Sequence, residues 1–305
     1  RCGEIFVVQE TVPAVGKHMY LNGVCTGCGK SSPAVGSRIF LGRYEQDNDL
    51  TNGAEPIEWD VLDIVDGKAL ITSHYVLRLS VFCEDSTGCW STSEPRRWMN
   101  SEFFGSAFGM EERSYFVLTH LTDLPVVSET YDYFFLLDEN EFTRYYGDGR
   151  EYYRAKRCAP TPYAVGMNGW VNDDGNITYD DEYSIEYWMR TVEEEVSEDR
   201  GFRWAWAISE SGMFVGNSPA AVYGVRPAAW IDLCAEGHEV VIDEAVPVTC
   251  TTRGLTEGCH CARCGEIFTA QESIPALGKH TYENGFCTVC GSAAHGGQPD
   301  LTRQL

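Results

Sequence analysis

The stretch Tyr223-Gly-Val-Arg-Pro-Ala-Ala-Trp-Ile-Asp-Leu233 decides how this chain is read. It reads as the last of several short strands, after Ile185 to Arg190, Arg203 to Ser209 and Met213 to Gly216. Loops rich in Gly, Glu, Asp and Asn separate them, the punctuation expected of a β-rich half. Earlier in the chain, Ser37 to Leu41 and Ile57 to Val65 alternate apolar and polar residues at period two. Asp66-Gly67 then signals a type I′ hairpin leading into Lys68 to Thr72. Ser93-Glu-Pro95 supplies an N-cap with Pro in the first turn, and Trp98, Phe103 or Phe104 and Phe108 follow at helical spacing, so a helix is expected over 94–107. Tyr115 to Leu121 and Tyr133 to Leu137 read as buried strands, with short helices at Glu139 to Tyr146 and Glu151 to Arg157. Strands and short helices mixed in this order give an α+β domain.

Composition bounds what such a domain can do. The chain has 305 residues, 43% apolar and 12% aromatic, enough buriable surface for a core and too much for a disordered polymer. Its formal charge of -23 repels phosphate backbones and anionic headgroups, so nucleic acid is excluded as a partner. No run of eighteen apolar residues occurs, and no membrane-spanning segment is expected. The chain opens at Arg1 with no initiator Met or leader, and the expectation is a piece of a larger bacterial cell-surface or secreted protein.

The two ends are copies of one small module. Residues 1–29 align without gaps to 263–291, with 20 of the 29 positions identical. The C-terminal copy holds Cys261-x2-Cys264 and Cys287-x2-Cys290, each pair followed by Gly. A C-x2-C turn presents two thiolates to one ion, so two such turns complete a tetrahedral structural zinc site on four Cys. The alternative is a pair of disulfides in a secreted module. His280 then reads as a turn residue. In the N-terminal copy only Cys2, Cys25 and Cys28 remain, with His18 in reach. Truncation of a longer repeat, completion by His18 or an empty site are the three readings, truncation being favoured. The expected organisation is a truncated zinc-ribbon-like repeat over 1–33, the main domain over 34–247, a linker over 248–258, a second zinc-ribbon-like repeat over 259–296 and a polar tail over 297–305.

Six Cys lie outside these knuckles. Cys83 and Cys89 could close a small loop in an oxidising compartment, Cys158 reads equally well as an isolated core thiol, and Cys158, Cys234, Cys250 and Cys259 allow three pairings.

Read in order, Phe40-Leu-Gly-Arg-Tyr-Glu-Gln-Asp47, Pro56-Ile-Glu-Trp-Asp-Val-Leu62, Gly67-Lys-Ala-Leu-Ile-Thr-Ser73, Arg96-Arg-Trp-Met-Asn-Ser-Glu-Phe103, Tyr187-Trp-Met-Arg190 and Gly224-Val-Arg-Pro-Ala-Ala-Trp-Ile-Asp-Leu233 resemble an uncharacterised domain family abundant in gut Firmicutes. The resemblance covers about residues 36 to 234, and Gly-Val-Arg-Pro-Ala is its most specific part. That family is related to the C-type lectin-like fold, whose superfamily includes formylglycine-generating enzymes and variable proteins diversified by retroelements. The resemblance implies two short helices packed on a twisted antiparallel sheet, with a ligand face on the last strands and their loops. It supplies a fold, not an activity.

On that face Arg203, Trp204, Trp206, Glu210, Met213, Phe214, Asn217 and Tyr223 would offer flat aromatic area beside hydrogen-bonding groups, suited to a glycan or a protein surface. In Arg203-Trp-Ala-Trp-Ala-Ile-Ser209 the two Trp share one face of a strand and the two Ala the other. A second candidate is a weak calcium loop, with Asn172, Asp174, Thr178 and Asp181 at ligand positions around Gly175; its first position is Trp170, which cannot ligate. An acidic hairpin turn explains those residues more simply. Residues 171–199 carry eleven acids against Arg190, a solvated loop or an interface for a basic partner. A formylglycine-generating activity would need paired copper-binding cysteines late in the domain, and Cys234 stands alone there in sequence. No G-x-S-x-G, phosphate-binding loop or H-E-x-x-H occurs, and His74, His120 and His238 are scattered. The expected function is non-catalytic recognition of a protein or glycan. The rivals are an enzyme of formylglycine-generating type and a structural spacer.

Overall fold

The structure, a computed structural model, describes residues 20–21, 24–25, 33–84, 88–123, 128–166 and 184–293. Cys2, His18, Cys28 and the calcium-loop residues Asn172, Asp174 and Asp181 lie outside the described residues, as does the side chain of Cys25. Near the N-terminus, β1 (Tyr20–Leu21) and β2 (Val24–Cys25) form an antiparallel pair. The chain divides into a central unit, Pro33–Glu236, and a unit made of Arg1–Ser32 with Gly237–Leu305.

In the central unit, β3 (Arg38–Tyr44), β4 (Glu55–Val65) and β5 (Lys68–Ser73) make an antiparallel meander. Asp66 and Gly67 between β4 and β5 have φ of 48° and 73°, the pair of positive values a type I′ turn requires, as the sequence predicts. After β6 (Arg78–Val81), a helical run starts at Ser93, whose hydroxyl accepts from the Arg96 N–H. It passes through α1 (Glu94–Trp98), a π turn at Met99–Phe103 and α2 (Phe104–Ala107), the span expected from spacing. A short α3 (Met110–Arg113) follows. The π turn lets Asn100 face the backbone: its amide donates to Arg96 O and Phe134 O, and its carbonyl accepts from the N–H groups of Tyr133 and Phe134. The run thereby pins Phe103, Phe108 and Phe134 into one buried aromatic core with Trp59, in edge, tilted and stacked contacts of 5.3–6.4 Å.

The hairpin β7 (Thr119–Asp123) and β8 (Ser128–Asp132) starts later than the strand expected at Tyr115 to Leu121. The expected strand Tyr133 to Leu137 is buried but joins no ladder; Phe135 instead exchanges both backbone bonds with Ala228. Then come α4 (Glu139–Tyr146), with a capping box between Asp138 and Glu141, α5 (Tyr153–Lys156) and α6 (Pro162–Gly166). The last strands of the unit are β9 (Tyr187–Val192), β10 (Ala205–Ile208), β11 (Phe214–Asn217), β12 (Val222–Val225) and β13 (Ala228–Asp232).

The stretch read as one strand, Tyr223 to Leu233, is two. One sheet has the order β11-β10-β9-β12-β6 and the other β13-β5-β4-β3, so the chain changes sheets between Val225 and Ala228. Pro227 has no N–H to continue a ladder, and its carbonyl accepts from Ser73 while that of Val225 accepts from Leu77. The unit is sheet-rich with few, short helices, as the α+β expectation requires.

In the C-terminal part of the other unit, β14 (Val240–Asp243), β16 (Gly258–Cys261) and β17 (Ile267–Thr269) form one sheet. The strands β15 (Gly254–Leu255) and β18 (Ser273–Ile274) pair, as do β19 (Tyr282–Glu283) and β20 (Phe286–Cys287). The module therefore begins near Gly237, not at 259. The expected linker 248–258 lies inside it, because β14 finds its hydrogen-bonding partner in β16, Val240 opposite Cys261. Among the described residues no helix is long and apolar enough to cross a membrane.

Candidate functional site

The thiols of the C-terminal unit do not assemble as the spacing suggests. Cys261 and Cys264 are not joined to Cys287 and Cys290 in one four-Cys site; each pair meets a different histidine. Cys250, His280, Cys287 and Cys290 bring their donor atoms within 4.8 Å of one another, and so do His238, Cys261 and Cys264. The cause is long-range pairing. The carbonyls of Thr249 and Cys250 accept from Leu277 and Gly278, which carries Cys250 to the chain just ahead of His280. In the sheet, β14 and β16 align so that His238 comes up against the Cys261 knuckle, with Ala262 N–H bonded to Glu239 O.

Distances in both groups suit a tetrahedral ion. Cys250 Sγ lies 3.4 Å from Cys287 Sγ, Cys290 Sγ 3.4 Å from His280 Nδ1, and Cys264 Sγ 3.6 Å from His238 Nδ1. Metal–sulfur bonds of about 2.3 Å and metal–nitrogen bonds of about 2.0 Å at tetrahedral angles put donors about 3.5–3.8 Å apart. Each C-x2-C turn closes the same way: Gly265 N–H donates to Cys261 O at 2.9 Å, Gly291 N–H to Cys287 O at 3.0 Å, and both Gly hold positive φ. The sequence predicts this knuckle and its Gly. In each turn backbone N–H groups face the first sulfur. Those of Cys290 and Val289 bring the Cys287 thiol down to about 5. Burial raises the Cys261 thiol, but the N–H groups of Cys264 and Arg263 outweigh it and bring it down to about 6. The two groups can each hold a metal ion. His280, read from sequence as a turn residue, is a donor here, and Cys250 was not distinguished from the other stray thiols because its partners lie 30 to 40 residues away.

The late strands of the central unit bear the aromatic residues. Ala205 and Ala207 are buried, while Trp204 and Trp206 are half-buried, as the alternation requires. Trp206 pairs with Gly216 and Ile208 with Phe214, so Phe214 shares the Trp206 face of the β10–β11 hairpin. Trp204 lies over Gly216, where a Cβ would meet its ring at 2.0 Å. On Trp204 sits the Arg200 guanidinium, 4.4 Å from the ring centroid and held by Glu193 at 2.6 Å. Phe214 covers Lys156, a buried ammonium 5.2 Å from its ring. Burial lowers the Lys156 pKa, with Asp148 opposing.

The eight residues expected to form one ligand face are divided. Asn217 pairs with Ala205, and Tyr223 packs at 4.7 Å on Trp188, which pairs with Ala207; both belong to the face opposite Trp206. Glu210 and Met213 are exposed at the hairpin turn. Arg203 buries its Nε without a hydrogen-bond partner. The turn itself is held by Gly212, at φ +88°, whose added Cβ would lie 1.8 Å from Tyr153 O. Gly212→Ala is expected to destabilise the central unit by about 2–4 kcal/mol through backbone strain and overpacking, read by urea denaturation. A change below about 0.5 kcal/mol would show that the hairpin does not dock there.

Under the sheet change lies a buried polar group that sequence reading did not assemble. Arg226 donates from Nε to Ser73 O at 2.8 Å and from Nη2 to Asp60 Oδ2 at 3.2 Å; its Nη1 lies 3.4 Å from the Tyr187 hydroxyl. Asp60 also faces His74 Nδ1 at 3.0 Å and Arg38 Nε at 3.3 Å. Burial alone would raise the Asp60 carboxyl, but His74, Arg226 and Arg38 hold it below the usual range. Cys158, in the same region, is buried and its thiol is pushed up by that burial. Elsewhere in the unit, a cleft of about 460 Å³ runs along the edge strand β3, lined by Phe40, Gly42, Arg43, Pro56, Phe108 and Glu112. None of the ligand-face residues expected from sequence lines it.

A family model described as a domain of unknown function (DUF6273) matches residues 66–233. No curated protein and no solved structure matches.

Proposed function

From the premise that this chain belongs to the DUF6273 family, a domain of unknown function, we propose that it is a non-catalytic recognition module of C-type lectin-like architecture in a bacterial surface or secreted protein. It binds a protein or glycan partner through the Trp206 face of the β10–β11 hairpin. The observation that carries this reading is the layered stack on that face. Gly216 makes room for Trp204, the Arg200 guanidinium lies on the ring, and Trp206 and Phe214 stand beside it half-buried. Flat rings held rigidly by neighbours, with a cation on top, lose little entropy on binding, which suits stacking against a sugar or an apolar protein surface. Met213, 43% exposed at the turn, extends the apolar area. The thiol of Cys158, buried and with a raised pKa, has the character of a core thiol and not of a nucleophile, which supports recognition over chemistry. Within the same reading, zinc is the ion for the C-terminal thiol groups, since sulfur and imidazole donors at tetrahedral spacing suit it and the role is structural.

A glycan and protein-surface binding screen tests the proposal. Trp204→Ala and Met213→Glu, chosen because neither side chain fills the core, are each expected to weaken the partner found by 10-fold or more with an unchanged thermal transition. Folded variants that bind as tightly as the parent would remove this face from contention.

A further inference from the structure

The donors of the two thiol groups alternate along the chain. His238 belongs to the first group, Cys250 to the second, Cys261 and Cys264 to the first again, and His280, Cys287 and Cys290 to the second. A ribbon with one ion between successive knuckles would not give this order. Here the chain from His238 to Cys261 closes one loop with Cys250 inside it, and the chain from Cys250 to Cys287 closes another containing Cys261 and Cys264. The hydrogen bonds that set this order are ordinary backbone ones, from Leu277 and Gly278 to Thr249 and Cys250 and from Ala262 to Glu239.

We propose that residues 238–290 fold around two metal ions in a cross-braced arrangement, the first ion held by His238, Cys261 and Cys264, the second by Cys250, His280, Cys287 and Cys290. The second set is a complete Cys3His tetrahedron. The first has a supporting carboxylate: Glu266 lies 3.5 Å from His238 Nε2, so the other ring nitrogen, Nδ1, faces Cys264. Cys259 belongs to neither group, although it neighbours His260, whose ring is taken up by Asp243 at 2.9 Å. Because each loop carries a ligand of the other ion, loss of one ion loosens the second. This inference stands apart from the recognition reading and survives if no partner is found.

The test uses the full chain loaded with zinc and freed of excess by a weak chelator, with metal counted by native mass spectrometry. The double variant Cys261→Ser/Cys287→Ser is expected to hold two ions fewer than the parent, and Cys250→Ser and His280→Ala at least one fewer each, while Cys259→Ser loses none. Because the N-terminal repeat is common to all variants, its contribution cancels. If the four C-x2-C thiols shared one ion, the double variant would lose one, and Cys250→Ser and His280→Ala none; that result overturns the proposal. A measurement on the parent alone guards against variants that misfold. In the zinc-loaded chain Cys250 is expected to resist alkylation at least 10-fold more than Cys259, and equal reactivity of the two would overturn the assignment.

Discussion

In a strong chelator the C-terminal unit is expected to lose its structure while the central unit keeps its cooperative melting transition. Among the described residues from Gly237 on, the buried side chains are three thiols, Cys250, Cys261 and Cys287, at 2%, 0% and 3% exposure. The large apolar side chains are outside: Val240, Ile242, Ile267 and Phe286 are each more than half exposed. At about 25 cal/mol per Å² of apolar surface removed from water, such a segment has little with which to oppose about 1–2 kcal/mol of backbone entropy per residue. Binding a structural zinc contributes about 10–16 kcal/mol in small metal-ordered modules, so under the proposed zinc assignment the ions, and not a hydrocarbon core, would supply the order. Hydrogen exchange read by mass spectrometry checks this. Amides of β14, β16 and β20 should exchange at unfolded rates in chelator and regain protection when zinc is restored, whereas β4, β5 and β9 should not respond. Protection of β16 that persists without metal would contradict it.

Replacing Arg226 by Met is expected to cost the central unit about 3–5 kcal/mol, the range for removing one partner of a buried ion pair. Arg226 has a side chain only 5% exposed, and its guanidinium ties both sheets together: Ser73 ends β5 of one, Tyr187 opens β9 of the other, and Asp60 is on β4. Methionine fills much of the volume but leaves the Ser73 carbonyl and the Tyr187 hydroxyl each one donor short in a buried place. Arg226→Lys should also destabilise, because one ammonium cannot donate to Ser73 O and Asp60 Oδ2 in the directions a planar fork reaches. Asp60→Asn should cost less than Arg226→Met, since Asp60 is about a quarter exposed and His74 and Arg38 can turn to water. Equilibrium denaturation of the three variants gives the order directly. A loss below about 1 kcal/mol for Arg226→Met would mean that the pair between the sheets is not a structural tie.

The bonds of Arg226 give the Val-Arg-Pro stretch that contains it a structural role. Val-Arg-Pro marks the place where the chain leaves one sheet for the other, and a long, forked, permanently charged side chain is what can satisfy carbonyl and carboxylate groups from both. The family match over residues 66–233 spans β5 through β13 and so includes that crossing, but not Asp60 on β4.

What the sequence alone determined lies in local physics. The positive φ values at Asp66-Gly67, the helix from Glu94 that begins at the Ser93 cap, the alternation of Trp and Ala along β10, the C-x2-C-Gly knuckles and the repeated ends each depend on residues a few positions apart, and each stands in the structure or the sequence as read. What only the tertiary structure decided involves partners tens of residues apart. Which thiols come together depends on the Thr249–Cys250 carbonyls meeting Leu277 and Gly278, and no spacing rule distinguishes Cys250 from Cys259 beforehand. The division of Tyr223 to Leu233 between two sheets, and the placing of Asn217 and Tyr223 behind the Trp206 face, likewise follow from ladders with β5, β6 and β9. A hydrogen-bonded turn is selected by the few dihedrals it fixes, whereas a long-range pairing is selected by the free energy of the whole fold, and that sum is not written in any short window of the chain.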